Sequence, residues 1–351
     1  MKKTFINLGI LFLLGMVIIV SLFAATYKIR HAPNSFLREY QRPFLKAIPA
    51  LDVKFNSYYI AGITDDHIYL GNITAPFDVL IANKAITASQ NVKIRIKGVE
   101  NATVYKSAAI KIDPPYFYLA DGVKPVLYRG KIGEWEAERF DYDSGAYFQQ
   151  LVPIGKTSFA IRTAEYKTLY NTLGKVQIDS PRIRLNSELL QKQVDGVFCT
   201  DGMLMYNSKL KRLVYNYRYR NEFIVYDTNL SIDYRGNTID TFSRAQIKIG
   251  YTTSDRSTKL LDKQTTNIRS CTGGSYLYIN SNLLAKNDSE GWLDKNSVID
   301  VYDLTNNSYK FSFIIPLYEN SRMRDFMVSE NILIVLYDHY MVKYDLQPGY
   351  L

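Results

Sequence analysis

Phe198-Cys199-Thr200-Asp201-Gly202 runs into MLMYN, and after a loop EFIVYD ends at Asp227. Ser270-Cys271-Thr272-Gly273-Gly274 runs into SYLYIN, and after a loop SVIDVYD ends at Asp303. FMVSENILIVLYD is followed by YMVKYD, which ends at Asp345. Each stretch reads as a short strand, a turn, an alternating second strand and a third strand closing on Tyr-Asp. All-β units repeated in this way are the sequence mark of a β-propeller.

Weaker patterns of the same kind precede these three. SYYIAG, HIYLGN and DVLIAN, with VKIRIKG as outer strand, give a first blade. AAIKID, YFYLAD and PVLYRG, with Trp135 near the end, give a second. FQQLVPI, SFAIRT, TLYNTL and KVQID give a third, and the remaining blades begin near Val194, Ile268 and Met323. The expected fold is all-β, a propeller of six four-stranded blades over residues 51–351. The sixth unit is one strand short, and the region Leu51 to Phe55 is the expected source of the missing one. Such closure removes free sheet edges. The polar stretch Tyr251 to Asn267 is expected to be a surface loop between the fourth and fifth units.

Composition agrees. The chain has 351 residues, of which 47% are hydrophobic and 29 are tyrosines. Aromatic residues suit half-buried strand faces. The net charge of +9 is dispersed among 43 basic and 34 acidic residues. The densest basic stretch, Lys209 to Arg220, interleaves Lys211, Arg212, Arg218 and Arg220 with Tyr215, Tyr217 and Tyr219. A single nucleic-acid strand can be held that way. A strand with Leu213 and the tyrosines on one face and the arginines on the other explains the same residues, and no nucleic-acid partner is assigned.

Residues Phe5 to Ala25 form an almost unbroken apolar run behind Met1-Lys2-Lys3. About 20 such residues span a bilayer, whereas a cleavable signal has a shorter core of roughly 7–15. Residues 1–27 are therefore expected to be an uncleaved signal anchor, a transmembrane helix by which the membrane itself is a partner. Residues 28–50, with Pro33, Pro43 and Pro49, are expected to be a tether, and Asn34 to Gln41 a short helix within it capped by Asn34. The expected location is a bacterial cytoplasmic membrane, single-pass, with the propeller outside the cytoplasm.

YYIAGITDDHIYLGN, RNEFIVYDTNLSIDYRGNTID, SCTGGSYLYINSNLLAKN and LYDHYMVKYDL carry a resemblance. In them the chain resembles a group of membrane-anchored, propeller-like proteins of Bacteroidota over most of its length after residue 51. The resemblance implies the fold and the anchor, and brings no activity or site residue with it. The VYD strand ends are similar to those of NHL- and YVTN-type propellers. Those families mostly bind partners, and some of their relatives are hydrolases or lyases.

Candidates for chemistry are few. The histidines are His31, His67 and His339. Asp65-Asp66-His67 and Asp338-His339 could ligate a metal or orient an imidazole, but Asp also favours the tight turns expected there. Asp227, Asp303 and Asp345 recur, which suits a structural role at strand ends. Cys199 and Cys271 either pair or remain buried thiols. No catalytic residue, metal ligand or cofactor is assigned. The favoured function is binding or scaffolding of a protein or cell-envelope ligand, with loop 251–267 and the loops near Asp65, Asp201 and Asn287 available for it. The alternative is a metal-dependent hydrolase or lactonase built on His67, Asp66 and Asp201.

Overall fold

The computed structural model describes residues 2–30, 34–42, 44–47, 50–98, 107–140, 147–179, 182–251 and 258–347. His31, Pro33, Pro43 and Pro49, and the tip of the 251–267 stretch, lie outside them. Lys2–Arg30 is a single α-helix, and its window Phe5–Ala24 has a mean hydropathy of 2.7 and buries nothing against the rest of the chain.

The remainder is a six-bladed β-propeller. Blade 1 consists of strands Tyr58–Ile63, His67–Asn72, Asp78–Asn83 and Ser89–Lys93. Blade 2 is Ala109–Asp113, Tyr116–Asp121, Val126–Lys131 and Glu136–Arg139. Blade 3 is Gln150–Gly155, Ser158–Ala164, Asn171–Gln177 and Ile183–Asn186, and blade 4 is Gly202–Asn207, Arg212–Tyr217, Glu222–Tyr226 and Ile232–Asn237. Blade 5 is Asn267–Gly273, Tyr276–Ser281, Asn296–Asp303 and Ser308–Pro316. Blade 6 takes Asp325–Ser329, Ile332–Leu336 and Tyr340–Leu346 from the C-terminal end. Its outer edge comes from the N-terminal side: Phe44 stands opposite Leu346, and Leu51 and Asp52 stand opposite Met341 and Tyr340. The ring is thus closed by the start of the chain, and the closing segment begins earlier than Leu51.

The core is not one body. Six apolar clusters lie between successive blades: Ala61 and Tyr69 meet Ile110 and Phe117 between blades 1 and 2, and Leu70 meets Ile334 between blades 1 and 6. Radial sheets are covered on both faces, so their middle strands read as continuous apolar runs rather than alternations. Ile332–Leu336 is buried at every position. This corrects the expected two-faced strand around Tyr215. Arg212–Tyr217 is buried on both faces, Tyr215 and Tyr217 completely, and Arg220 with them. The Arg220 guanidinium sits 3.5 Å from the Tyr217 ring centre and pairs with Glu222 at 2.8 Å.

Other expectations need adjusting. In blade 3, TLYNTL and KVQID contribute to one strand, Asn171–Gln177, and Ile183–Asn186 is the fourth. In VKIRIKG, Arg95–Ile96 leaves blade 1 and pairs parallel with the outer strand of blade 2. Cys199 and Cys271 are both free and buried. Their positions are not equivalent, since Cys199 precedes the first strand of blade 4 whereas Cys271 lies inside that of blade 5. The thiol of Cys271 is pushed up to about 12 by burial.

The stretch Asn34 to Gln41 is extended, not helical. It is a strap across blade 5. Asn34 donates to Leu284 O at 2.8 Å, Phe36 O accepts from Lys286, and Gln41 donates to Ser312 O at 2.8 Å. Arg38 is its anchor: both it and Asp288 have no exposed side-chain surface, and they pair at 2.6 Å, while Nε pairs with Asp300 at 2.8 Å. Burial alone would disfavour the charge, but Asp300 and Asp288 more than offset it and hold the guanidinium ionised. Backbone and side-chain partners supplied by blade 5 outcompete the local bonds of a short helix, which is marginal on its own.

Candidate functional site

The first strand of each blade is innermost, and these strands all run the same way. The end where they begin, called here the upper face, carries the connections between blades, including the long segments 187–201 and 238–266. The opposite, lower face carries short turns such as 114–115, 156–157 and 274–275.

A run of arginines ties the upper face together. Arg162 of blade 3 pairs with Asp201 and donates to Gly202 O at 2.9 Å, reaching blade 4. Arg218 of blade 4 pairs with Asp201 at 2.9 Å and donates to Ile268 O of blade 5 at 3.1 Å. Arg269 of blade 5 donates to Arg324 O, and Arg324 donates to Asn56 O and, at 3.0 Å, to Tyr58 O of blade 1. Each guanidinium thus places at least one donor on the next blade. Gly202 is required at this junction, because a Cβ there would lie 2.4 Å from Asn216 O.

Deeper, on the innermost strands, Lys111 and Asp325 influence one another. Burial lowers the Lys111 pKa, opposed by the Asp325 charge. Asp325 accepts from the amides of Ile60 and Phe326, each at 3.1 Å. Asp113 is raised by burial.

On the upper face, in the connection between blades 4 and 5, stands the feature expected as a loop. It is a β-hairpin, Ile247–Tyr251 paired with Thr258–Lys263. Its root is fixed where Ile247 and Leu260 pack on Cys199, Tyr219 and Ala245. Gln193 clamps the approach, accepting from Ala245 N at 2.8 Å and donating to Ser243 O at 2.9 Å. Under it lies an open recess of about 430 Å³ bordered by Val194, Arg244, Lys248, Asp262 and Lys263. A smaller cavity of about 110 Å³ sits between blades 3 and 4, lined by Tyr170, Asn171 and Thr200 among others. The sequence signal for the hairpin was present in the alternation of Ile247, Ile249 and Tyr251, but lysines and threonines around it masked it.

The residues suspected of metal chemistry do not come together. His67 lies at a lower-face turn, its amide donating to Thr64 Oγ1 at 3.2 Å. Asp201 is on the upper face, held by two arginines. His339 Nδ1 bonds Lys54 O at 3.0 Å, fastening the closing segment. Among the described residues no three His, Cys, Asp or Glu side chains form a metal-binding group. Asp227 accepts from the amides of Asn229 and Ser231, and Asp303 from Thr305, each bonding its own turn.

The architecture defines a six-bladed propeller behind one apolar helix. The chain matches no protein-family model and no curated protein. Among solved structures it is similar to a member of the DUF4221 family from Bacteroides vulgatus, at 12% identity and a TM-score of 0.56, with 88% of this chain and 98% of that one covered. A virginiamycin B lyase from Staphylococcus aureus with quinupristin is also similar, at 10% identity and a TM-score of 0.49, covering 86% of this chain and 99% of that one. These likenesses concern the fold.

Proposed function

We propose that this protein is a membrane-tethered propeller that binds a protein or cell-envelope ligand on its upper face, outside the cytoplasm. The observation that carries the reading is the hairpin Ile247–Lys263. It is additional to the four-strand pattern of the blades, is rooted by its own apolar cluster, and shelters an open recess bordered by Arg244, Lys248 and Lys263. An element that adds nothing to ring closure is free to serve recognition. The apolar helix, long enough to cross a bilayer, serves as the anchor in this reading. A metal-dependent hydrolase has no comparable geometry among the described residues.

The test replaces residues 249–259 of the full-length protein with a short Gly-Ser turn, keeping the root residues Ile247 and Leu260. The melting transition should stay within about 1 kcal/mol of wild type, since exposed surface elements contribute little. Cross-linked partners recovered from native membranes should be lost. Recovery of the same partners at the same yield would overturn the hairpin as the binding element.

A further inference from the structure

We infer that the upper face lies flat against the bilayer that holds the N-terminal helix, with its loop tips seated among the lipid headgroups. The inference rests on the anchor reading given above, adds an orientation and a lipid contact to it, and narrows the ligand of the upper face to one held in or on the membrane.

The first observation is the reach of the chain. The apolar window ends at Ala24, and the helix continues to Arg30. At 1.5 Å per residue, those six residues add about 9 Å, enough to cross a headgroup layer. Asn34 is already fastened, by its amide and its side chain, to Leu284 O in the upper-face loop between the second and third strands of blade 5. Four Cα steps from Arg30 to Asn34 span at most about 14 Å. A six-residue strand is about 20 Å long. The leash is therefore shorter than the propeller is deep, so the lower face cannot be turned to the bilayer while the strap stays docked. The strap is held by Arg38 on Asp288 and Asp300, a buried pairing that is not lightly released.

The second observation is independent of the first. Large apolar side chains are exposed at the tips of upper-face loops from several blades. Phe55, Ile73, Val123, Tyr166, Leu169 and Leu261 are between 59% and 94% exposed. They belong to the segment entering blade 1, to loops of blades 1, 2 and 3, and to the hairpin. At the lower end the exposed large apolar side chains are Ile178 in a turn and Ile232 at the start of an outer strand, at 37% and 42%. Isolated exposed apolar residues are ordinary. Their gathering on one end of a disc, at the end where the chain emerges from a membrane helix, matches an interfacial surface, where aromatic and aliphatic tips sit at headgroup depth. Lys248, Lys263 and Arg244 at the hairpin recess add attraction to anionic headgroups.

The experiment uses full-length protein reconstituted in vesicles of phosphatidylcholine with phosphatidylglycerol. Val123→Cys and, separately, Ile73→Cys and Ile178→Cys are labelled with an environment-sensitive fluorophore, with the unsubstituted protein, whose native cysteines are buried, as the labelling control. Lipids bearing a headgroup nitroxide should quench both upper-face labels by roughly twofold, as expected for tips at interfacial depth, and leave the Ile178 label unchanged. Vesicle flotation in high salt reports the anchor separately. Protein that floats while Val123 and Ile73 labels stay unquenched overturns the orientation and leaves the anchor standing. Protein that does not float overturns the anchor. Unquenched upper labels, together with disulfide cross-links between unlabelled Val123→Cys chains, show a second copy of the chain covering the face, which also overturns the proposal.

Discussion

The two ends of this propeller solve different problems. The lower face is closed by short turns, several of which bond to themselves: Asp227 and Asp303 each accept from amides two residues on. Scattered bonds such as Asn207 Nδ2 to Gly274 O and Tyr234 OH to Leu304 O join neighbouring blades there. The upper face has self-bonded turns as well, at Asn72 and Asp121, and adds to them a run of arginine contacts between blades and the docking of a distant part of the chain. Arg162, Arg218, Arg269 and Arg324 reach across junctions, and Arg38 docks a segment whose partners lie 250 and 262 residues away. Long-range bonding fixes an end rigidly while leaving its loop tips outward, and that is where the hairpin and the exposed apolar side chains are found.

The largest break in this comparison comes from Arg38→Ala. It strands Asp288 and Asp300 in a buried site, which costs about 3–5 kcal/mol, read as a lowered denaturant midpoint. Arg38→Lys keeps the charge but loses the fork that meets both carboxylates, so its loss should fall between wild type and the alanine variant. If the strap were a free tether, neither change would move the midpoint. Asp227→Ala and Asp303→Ala test the other end. Each removes local turn bonds at an exposed site and should cost only about 0.5–1.5 kcal/mol, with additive effects, since the two turns belong to different blades. A cost from Asp303→Ala as large as that from Arg38→Ala would erase the distinction between the ends.

What could be read from the sequence follows the same division. The Tyr-Asp strand ends, the blade starts near Ile268 and Met323, and the turn at Asp65-Asp66-His67 are local patterns, and local patterns survive in one dimension. Closure from the N-terminal side was legible because the sixth unit lacked a strand. The strap was not, because nothing near Arg38 announces Asp288 or Asp300, and an isolated polar-apolar stretch after Asn34 reads equally well as a helix. The hairpin was hidden because its apolar residues are few, and its root partners Cys199 and Tyr219 come from elsewhere. The continuous burial of Arg212–Tyr217 was missed for a related reason: alternation presumes one wet face, and a radial sheet has none. The apolar tips of the upper face are single residues far apart in sequence, and only the fold gathers them.

The most direct test of the working end is hydrogen exchange of the full-length protein in vesicles compared with detergent micelles. The account predicts slower exchange in vesicles at 73–77, 122–125, 165–170 and the hairpin, and no change at the lower-face turns 84–88, 227–231 and 304–307. Slowing at the lower turns, or equal exchange at both ends in the two environments, would contradict it.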